Sequence, residues 1–171
     1  NVGMITRILT SNYDLVIAVE PSSKNRAAIF RNQRAGANNL VVFPFGISDV
    51  NAKGKIGISN KSCGANSLLD SELKNPDFYE KIELVKLDDL LIKNKWLASR
   101  NVNLIKLDIQ GYELQALKGA TETINKYKPI ILCEVSTKNK SNEVEIENFL
   151  SSLDYKKVDN ISKDRIFVCG D

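Results

Sequence analysis

Asn103-Leu104-Ile105-Lys106-Leu107-Asp108-Ile109-Gln110-Gly111-Tyr112-Glu113 is the stretch on which the fold turns. Leu104, Ile105 and Leu107 make a short apolar run, Gly111 supplies a turn, and from Glu113 onward Leu114, Leu117, Ala120 and Ile124 return at helical spacing. The pattern predicts a strand, a tight turn and one helix that runs out near Lys126 to Lys128, basic residues suited to a helix C-terminus. Pro129 then opens Ile130-Ile131-Leu132-Cys133, whose unbroken apolar character predicts a buried strand. A right-handed βαβ unit with parallel strands follows. Asp108 closes its first strand and Glu134 its second, so both carboxylates should lie at the carboxyl edge, where open α/β sheets bind ligands.

Working outward, the 171 residues suit one domain, 1–171, with a full core, and 43% hydrophobic with 26% charged residues is ordinary for a globular protein. Lys and Arg number 24 against 21 Asp and Glu, a net charge of +3. The basic residues are scattered rather than gathered into a stripe, so no nucleic-acid partner is expected. Cys63, Cys133 and Cys169 are far apart and odd in number, which indicates neither a disulfide framework nor a zinc site and fits a reducing, cytoplasmic compartment. No apolar run approaches the roughly 20 residues that span a bilayer, so no membrane partner is expected either. The chain has no histidine, which excludes Ser-His-Asp and Cys-His catalysis and His-ligated metals. A general base must be Asp, Glu, Lys, Tyr or a thiolate.

Asn1-Val2-Gly3 leads directly into a helical pattern of Met4, Ile5, Ile8 and Leu9, so the chain is expected to begin at a strand-to-helix turn, truncated at its N-terminus. Leu15 to Val19 is apolar and rich in β-branched residues, and it ends in Glu20-Pro21 before a helix from about Lys24 to Ala35, closed by Gly36. An acid ending the second strand of a Rossmann-like sheet is placed to accept hydrogen bonds from ribose hydroxyls; an acid before a helix also simply stabilises the dipole. Leu40 to Ile47 makes the next strand, with Pro44 hinting at an irregular position. Its end, Gly46-Ile47-Ser48-Asp49, would either cover an adenine face or serve as a plain exit. Lys55 to Ser59 alternates and suggests a short hairpin or a loop excursion rather than a crossover helix, and Ser62 to Ser67 makes a small-residue loop. Glu83 to Leu87 is another strand, Asp88 or Asp89 should cap a short helix reaching Trp96, and Ser136 to Asn142 should be a loop before a helix marked by Val144, Ile146, Phe149, Leu150 and Leu153. Tyr155 to Val158 and Ile166 to Val168 close the sheet as an antiparallel pair.

The order Val-Glu-Pro, Gly-Ile-Ser-Asp, Leu-Asp-Asp-Leu, then Lys106-Leu-Asp-Ile-Gln-Gly-Tyr-Glu-Leu-Gln-Ala-Leu-Lys-Gly-Ala120 and Cys-Glu-Val resembles the FkbM-type S-adenosylmethionine-dependent methyltransferases over nearly the whole chain. The resemblance implies a class I methyltransferase, Rossmann-like α/β fold: a mostly parallel sheet of seven strands with a C-terminal antiparallel pair, whose first strand is missing from this chain. It makes Asn1 and Gly3 the end of the cofactor loop, Glu20 with Pro21 the ribose-binding step, Ile47 and Ser48 the adenine neighbourhood, and Asp108 the residue facing the methyl-transfer centre. Gln110 stands where the family usually has Glu, which loses charge while keeping shape.

The implied cofactor is S-adenosylmethionine, and the implied activity is O-methylation of a hydroxyl on a sugar, glycan or natural-product-like small molecule. Asp108 is the first choice for the carboxylate that assists deprotonation; capping the turn is its plainer role. Lys106 interrupts an apolar strand on the face of Asp108 and should be paired with Asp108 or Glu134, more as a structural ion pair than for proton transfer. Glu134 either assists Asp108 or joins it on a divalent cation, although two acids without a third ligand do not make a metal site. Glu113 falls in a first helical turn, where a negative charge is stabilising in itself. The alternative function is a Rossmann-like binding or scaffold module that has lost turnover. A nicotinamide-dependent oxidoreductase is disfavoured because no Tyr-x-x-x-Lys occurs.

Overall fold

The structure is a computed structural model that describes residues 3–33, 37–59, 66–68, 75–97, 99–135 and 140–170. Asn1, Gly36, the Ser62 to Ala65 part of the small-residue loop and the Ser136 to Asn139 part of the later loop lie outside the described residues. The chain divides into two compact units, Asn1–Gly46 with Ala52–Leu84, and Ile47–Asn51 with Val85–Asp171.

The first unit starts with α1 (Met4–Leu9), β1 (Val16–Val19), α2 (Ser23–Asn32) and β2 (Leu40–Phe43). The β-branched run of β1 pairs in parallel with β2, Val16 opposite Leu40 through Val19 opposite Phe43. The expected strand from Leu40 to Ile47 is two strands. Pro44 has no N–H for a ladder, and the chain resumes after it as β3 (Phe45–Ile47) in a different sheet. That second sheet has the order β3, β5, β4, with β4 (Ala52–Ile58) and β5 (Phe78–Val85) antiparallel, the hairpin that alternation at Lys55 to Ser59 allowed. β5 begins five residues before the expected Glu83 because Phe78 to Ile82 continue the ladder opposite Ile58 to Gly54. Its inner face buries Ile82 against Ile56 and Ile58.

The second unit carries α3 (Leu87–Lys93), a 3-10 turn (Lys95–Leu97), β6 (Leu104–Leu107), α4 (Glu113–Lys118), α5 (Thr121–Tyr127), β7 (Ile130–Glu134), α6 (Lys140–Ser151), β8 (Tyr155–Ile161) and β9 (Asp164–Cys169). Its sheet runs β6, β7, β9, β8; β6 and β7 are parallel, and β9 is antiparallel to both its neighbours. The parallel βαβ pair and the antiparallel C-terminal pair are as the sequence led one to expect. Ile105, Leu107, Ile131, Cys133 and Phe167 from the sheet bury against Leu114, Leu117 and Ile124, and against Ile146 and Leu150 of α6.

Three expectations in this unit give way. Leu87 belongs to α3, not to the strand before it, and Lys86 rather than an aspartate stands at the N-cap. The helix after Glu113 is two helices, and one residue explains both differences. Asp88, within the first turn of α3, turns its carboxylate to the amides of Glu122 (3.0 Å) and Thr123 (2.9 Å) and to the Thr123 hydroxyl (2.6 Å), capping a new helix where continuation was expected. At the break, a Cβ added to Gly119 would stand 1.9 Å from the Ser48 carbonyl oxygen, so only glycine admits that strand exit against the helix end. Finally, α6 starts at Lys140, inside the expected loop.

Candidate functional site

The candidate site is built at the carboxyl edge of β6 and β7. Along β6 Ile105 and Leu107 point into the core, so the period of two leaves Lys106 on the other face. Register pairs Leu107 with Cys133, which brings the next residues, Asp108 and Glu134, side by side. Their carboxyls stand within hydrogen-bonding reach of one another. Burial, then that contact and the Asp108 charge, push the Glu134 carboxyl up to about 7, while Lys106 and Lys163 pull it down. The pair therefore holds a proton close to neutrality.

Lys106 is paired with neither expected acid. Its Nζ lies 2.7 Å from Asp164 Oδ1 and donates to the Leu107 carbonyl at 3.3 Å. Asp164 opens β9 directly opposite Glu134. The ion pair that sequence reasoning expected is present, with a partner 58 residues away that no local pattern could name. Lys163 Nζ stands 3.9 Å from Glu134. Among the described residues no group of three or more acids, cysteines or histidines could hold a metal ion.

The turn after Asp108 is held from below. Gln110 and Gly111 both take left-handed backbone, at φ 54° and 96°. Glu113 reaches back with Oε1 to accept from the amides of Ile109 (3.2 Å) and Gly111 (3.1 Å), and Asn142 of α6 donates to its Oε2 at 3.4 Å. The Glu113 side chain is buried, and burial raises its pKa against the opposing pull of those backbone hydrogen bonds. The role expected of it, a stabilising charge in a first helical turn, is thus too small. From the top of the turn, Gln110 Nε2 donates to Asp108 Oδ1 at 3.1 Å.

Ile47 packs on this unit's core, and Ser48 follows it, fully buried. The Ser48 amide donates to the Val85 carbonyl at 2.9 Å, its hydroxyl to Asp49 Oδ1 at 3.1 Å, and Tyr112 Oη lies 3.4 Å from that hydroxyl. Tyr112 and Asp164 are residues to which the sequence reading gave no role, while Gln110 and Glu113 were noted there only as an uncharged replacement and as a charge at a helix start. Both Gln110 and Glu113 carried a signal there as members of one acidic motif.

In the first unit, Glu20 follows β1, as expected. Its Oε1 accepts from the Ser22 amide (2.9 Å) and its Oε2 from Asn25 Nδ2 (3.4 Å), while Ser22 caps α2 through Asn25 N. Arg26 donates to the carbonyls of Glu20 (3.0 Å) and Pro21 (2.6 Å), which fixes the step between strand and helix. Gly3 precedes α1 at φ 89°, where a Cβ would meet the Ile29 backbone at 3.0 Å. Gly3, Glu20 and Pro21 thus belong to one unit, and Lys106, Asp108, Glu134, Ile47 and Ser48 to the other.

A family model described as "Methyltransferase FkbM domain" matches residues 4–157. The crystal structure of methyltransferase FkbM from Methylobacillus flagellatus KT superposes with a TM-score of 0.61 at 17% identity, covering 95% of this chain and 38% of that one. The likeness at that identity is one of α/β fold, and the chain spans well under half the length of the neighbour. No relative matches among the curated proteins.

Proposed function

Because the chain belongs to the FkbM methyltransferase domain family, we propose that it transfers the methyl group of S-adenosylmethionine to a hydroxyl oxygen on a sugar, glycan or natural-product-like small molecule. The family match runs through residues of both units, which supports reading 1–171 as one methyltransferase domain. The observation that carries the chemistry is the Asp108 and Glu134 pair at the carboxyl edge of parallel strands.

S-adenosylmethionine supplies an electrophilic methyl on a sulfonium. The residues that would hold it are Glu20, a carboxylate that accepts hydrogen bonds and would accept them from ribose hydroxyls, Pro21, which holds the step, Gly3 in the turn before α1 together with Asn1, and Ile47 and Ser48 for the base. Asp108 takes the proton of the acceptor hydroxyl, because a neutral alcohol is a poor nucleophile and a carboxylate within reach removes the charge that develops on it. Glu134 donates to Asp108 and so fixes which oxygen faces the acceptor. Lys106, neutralised by Asp164, supports that edge of the sheet without entering the proton transfer.

Calorimetric titration with S-adenosylmethionine tests the reading. Saturable binding, weakened in E20A and retained in D108N, is expected, together with loss of methyl transfer to a hydroxyl acceptor in D108N. Absence of binding at millimolar cofactor, with circular dichroism intact, removes it. A second reading, a binding module without turnover, is favoured by one observation: Glu20 already serves its own helix. That reading expects D108A to change stability and leave methyl transfer unmoved.

A further inference from the structure

We infer that Gln110 is a positioning residue that makes Asp108, rather than Glu134, the ionised member of the carboxyl pair. Its bearing on proton transfer rests on the proposed role of Asp108 as base.

Two neighbouring carboxyls compete for one proton, and the surroundings decide which of them keeps it. Glu134 stands within hydrogen-bonding reach of Asp108 from the adjacent strand. From the other side, Gln110 presents Nε2, which can only donate, 3.1 Å from Asp108 Oδ1. A donor that cannot accept stabilises an anion and gives nothing to a protonated hydroxyl. Asp108 is therefore approached by a donor from its own turn as well as by its partner. Lys106 of β6 favours the Glu134 anion and so opposes this preference, but its charge is shared with Asp164 of β9 at 2.7 Å. Lys163, from the turn before β9, stands 3.9 Å from Glu134. Glu113 of α4 adds negative potential behind Asp108, and Cys133 of β7 is buried as a neutral thiol.

The backbone at Gln110 points the same way. Left-handed φ of 54° is costly for a long side chain, and glycine would hold that corner with less strain. The side chain that stays there is the one that reaches back two residues to the carboxylate.

Two variants separate positioning from structure. Q110G removes the amide while relieving the backbone, so the fold should persist. Q110E keeps the shape and replaces the donor with a third carboxyl. Carbon-13 NMR titration of the side-chain carboxyls, assigned with D108N and E134Q and run without cofactor or acceptor, follows the proton directly. In the unmodified chain the step near neutrality should appear chiefly at the Glu134 carbon. In Q110G it should divide between Asp108 and Glu134, and in Q110E its midpoint should rise by about one pH unit. A step on Asp108 in the unmodified chain, or titrations unaltered by both substitutions, overturns the inference. Since no methyl transfer is measured, loss of the proposed activity would count against that function and leave these midpoints to be judged alone.

Discussion

Glu134 is half-buried and Glu113 fully buried, and in both the loss of water is the largest cause that raises the carboxyl pKa. The Glu134 carboxyl titrates at about 7 in the folded chain against an ordinary 4.5. Between those pH values the native chain holds a proton that the unfolded chain has released, so this group makes stability fall as pH rises across that window. Urea unfolding of E134Q between about pH 5 and 8 should show a flatter dependence on pH than the unmodified chain; an identical slope would contradict the assignment. Glu113 is raised in the same direction, and its buried oxygens satisfy two backbone amides of the turn. Glu113→Ala should cost about 2–4 kcal/mol, since those amides lose their partner in a dry site. Glu113→Gln keeps an acceptor for both amides and should cost less than about 1 kcal/mol at neutral pH, because no buried charge remains to be desolvated. Chemical denaturation of the two variants side by side checks the contrast.

Elements begin and end here where a distant group completes them, and that is why some boundaries were readable and others were not. Pro44 announced a break in its strand, and the Asp108 and Glu134 strand ends were legible because apolar runs stop at an acid. The break between α4 and α5 was not legible: a continuous helical pattern runs through Gly119, and what opens the second helix is the Asp88 carboxylate, 34 and 35 positions from the amides it accepts. Asp88 was expected to cap its own helix and caps another, since both uses satisfy the same chemistry. Gly119→Ala should accordingly destabilise by about 2–4 kcal/mol, more than an alanine gains in a helix elsewhere, because backbone rather than a flexible side chain blocks the new methyl. Asp88→Ala should cost about 1–2 kcal/mol by leaving the first amides of α5 without an acceptor. Thermal unfolding orders the two, and a stabilised Gly119→Ala would show the contact to be soft.

At the level of the whole molecule, the two compact units carry different halves of the proposed chemistry, the ribose acceptor in one and the proton acceptor in the other. The sequence pattern made both acids visible but not their partners, because Ser22, Asn25 and Arg26 around Glu20 are ordinary helix-start residues, and Asp164 beside Lys106 is a turn residue far along the chain. Glu20 offers the sharpest test of that division. A ligand that binds only the folded chain stabilises it by RT ln(1 + [L]/Kd), about 2.7 kcal/mol at one hundred times Kd. S-adenosylmethionine should therefore raise the unfolding temperature of the unmodified chain. Glu20→Gln retains an oxygen for the Ser22 amide, and Asn25 can turn its amide to meet the new NH2 group, so unliganded stability should fall by less than about 1 kcal/mol. What the variant loses is the charge: two ribose hydroxyls then meet a neutral acceptor, and charge-assisted bonds are roughly twice as strong as neutral ones. Cofactor affinity should drop by about 10- to 100-fold, and the thermal shift at fixed cofactor should shrink accordingly. If Glu20→Gln lowers unliganded stability and leaves the shift intact, Glu20 is a helix cap and nothing more, and the nucleoside must be held elsewhere.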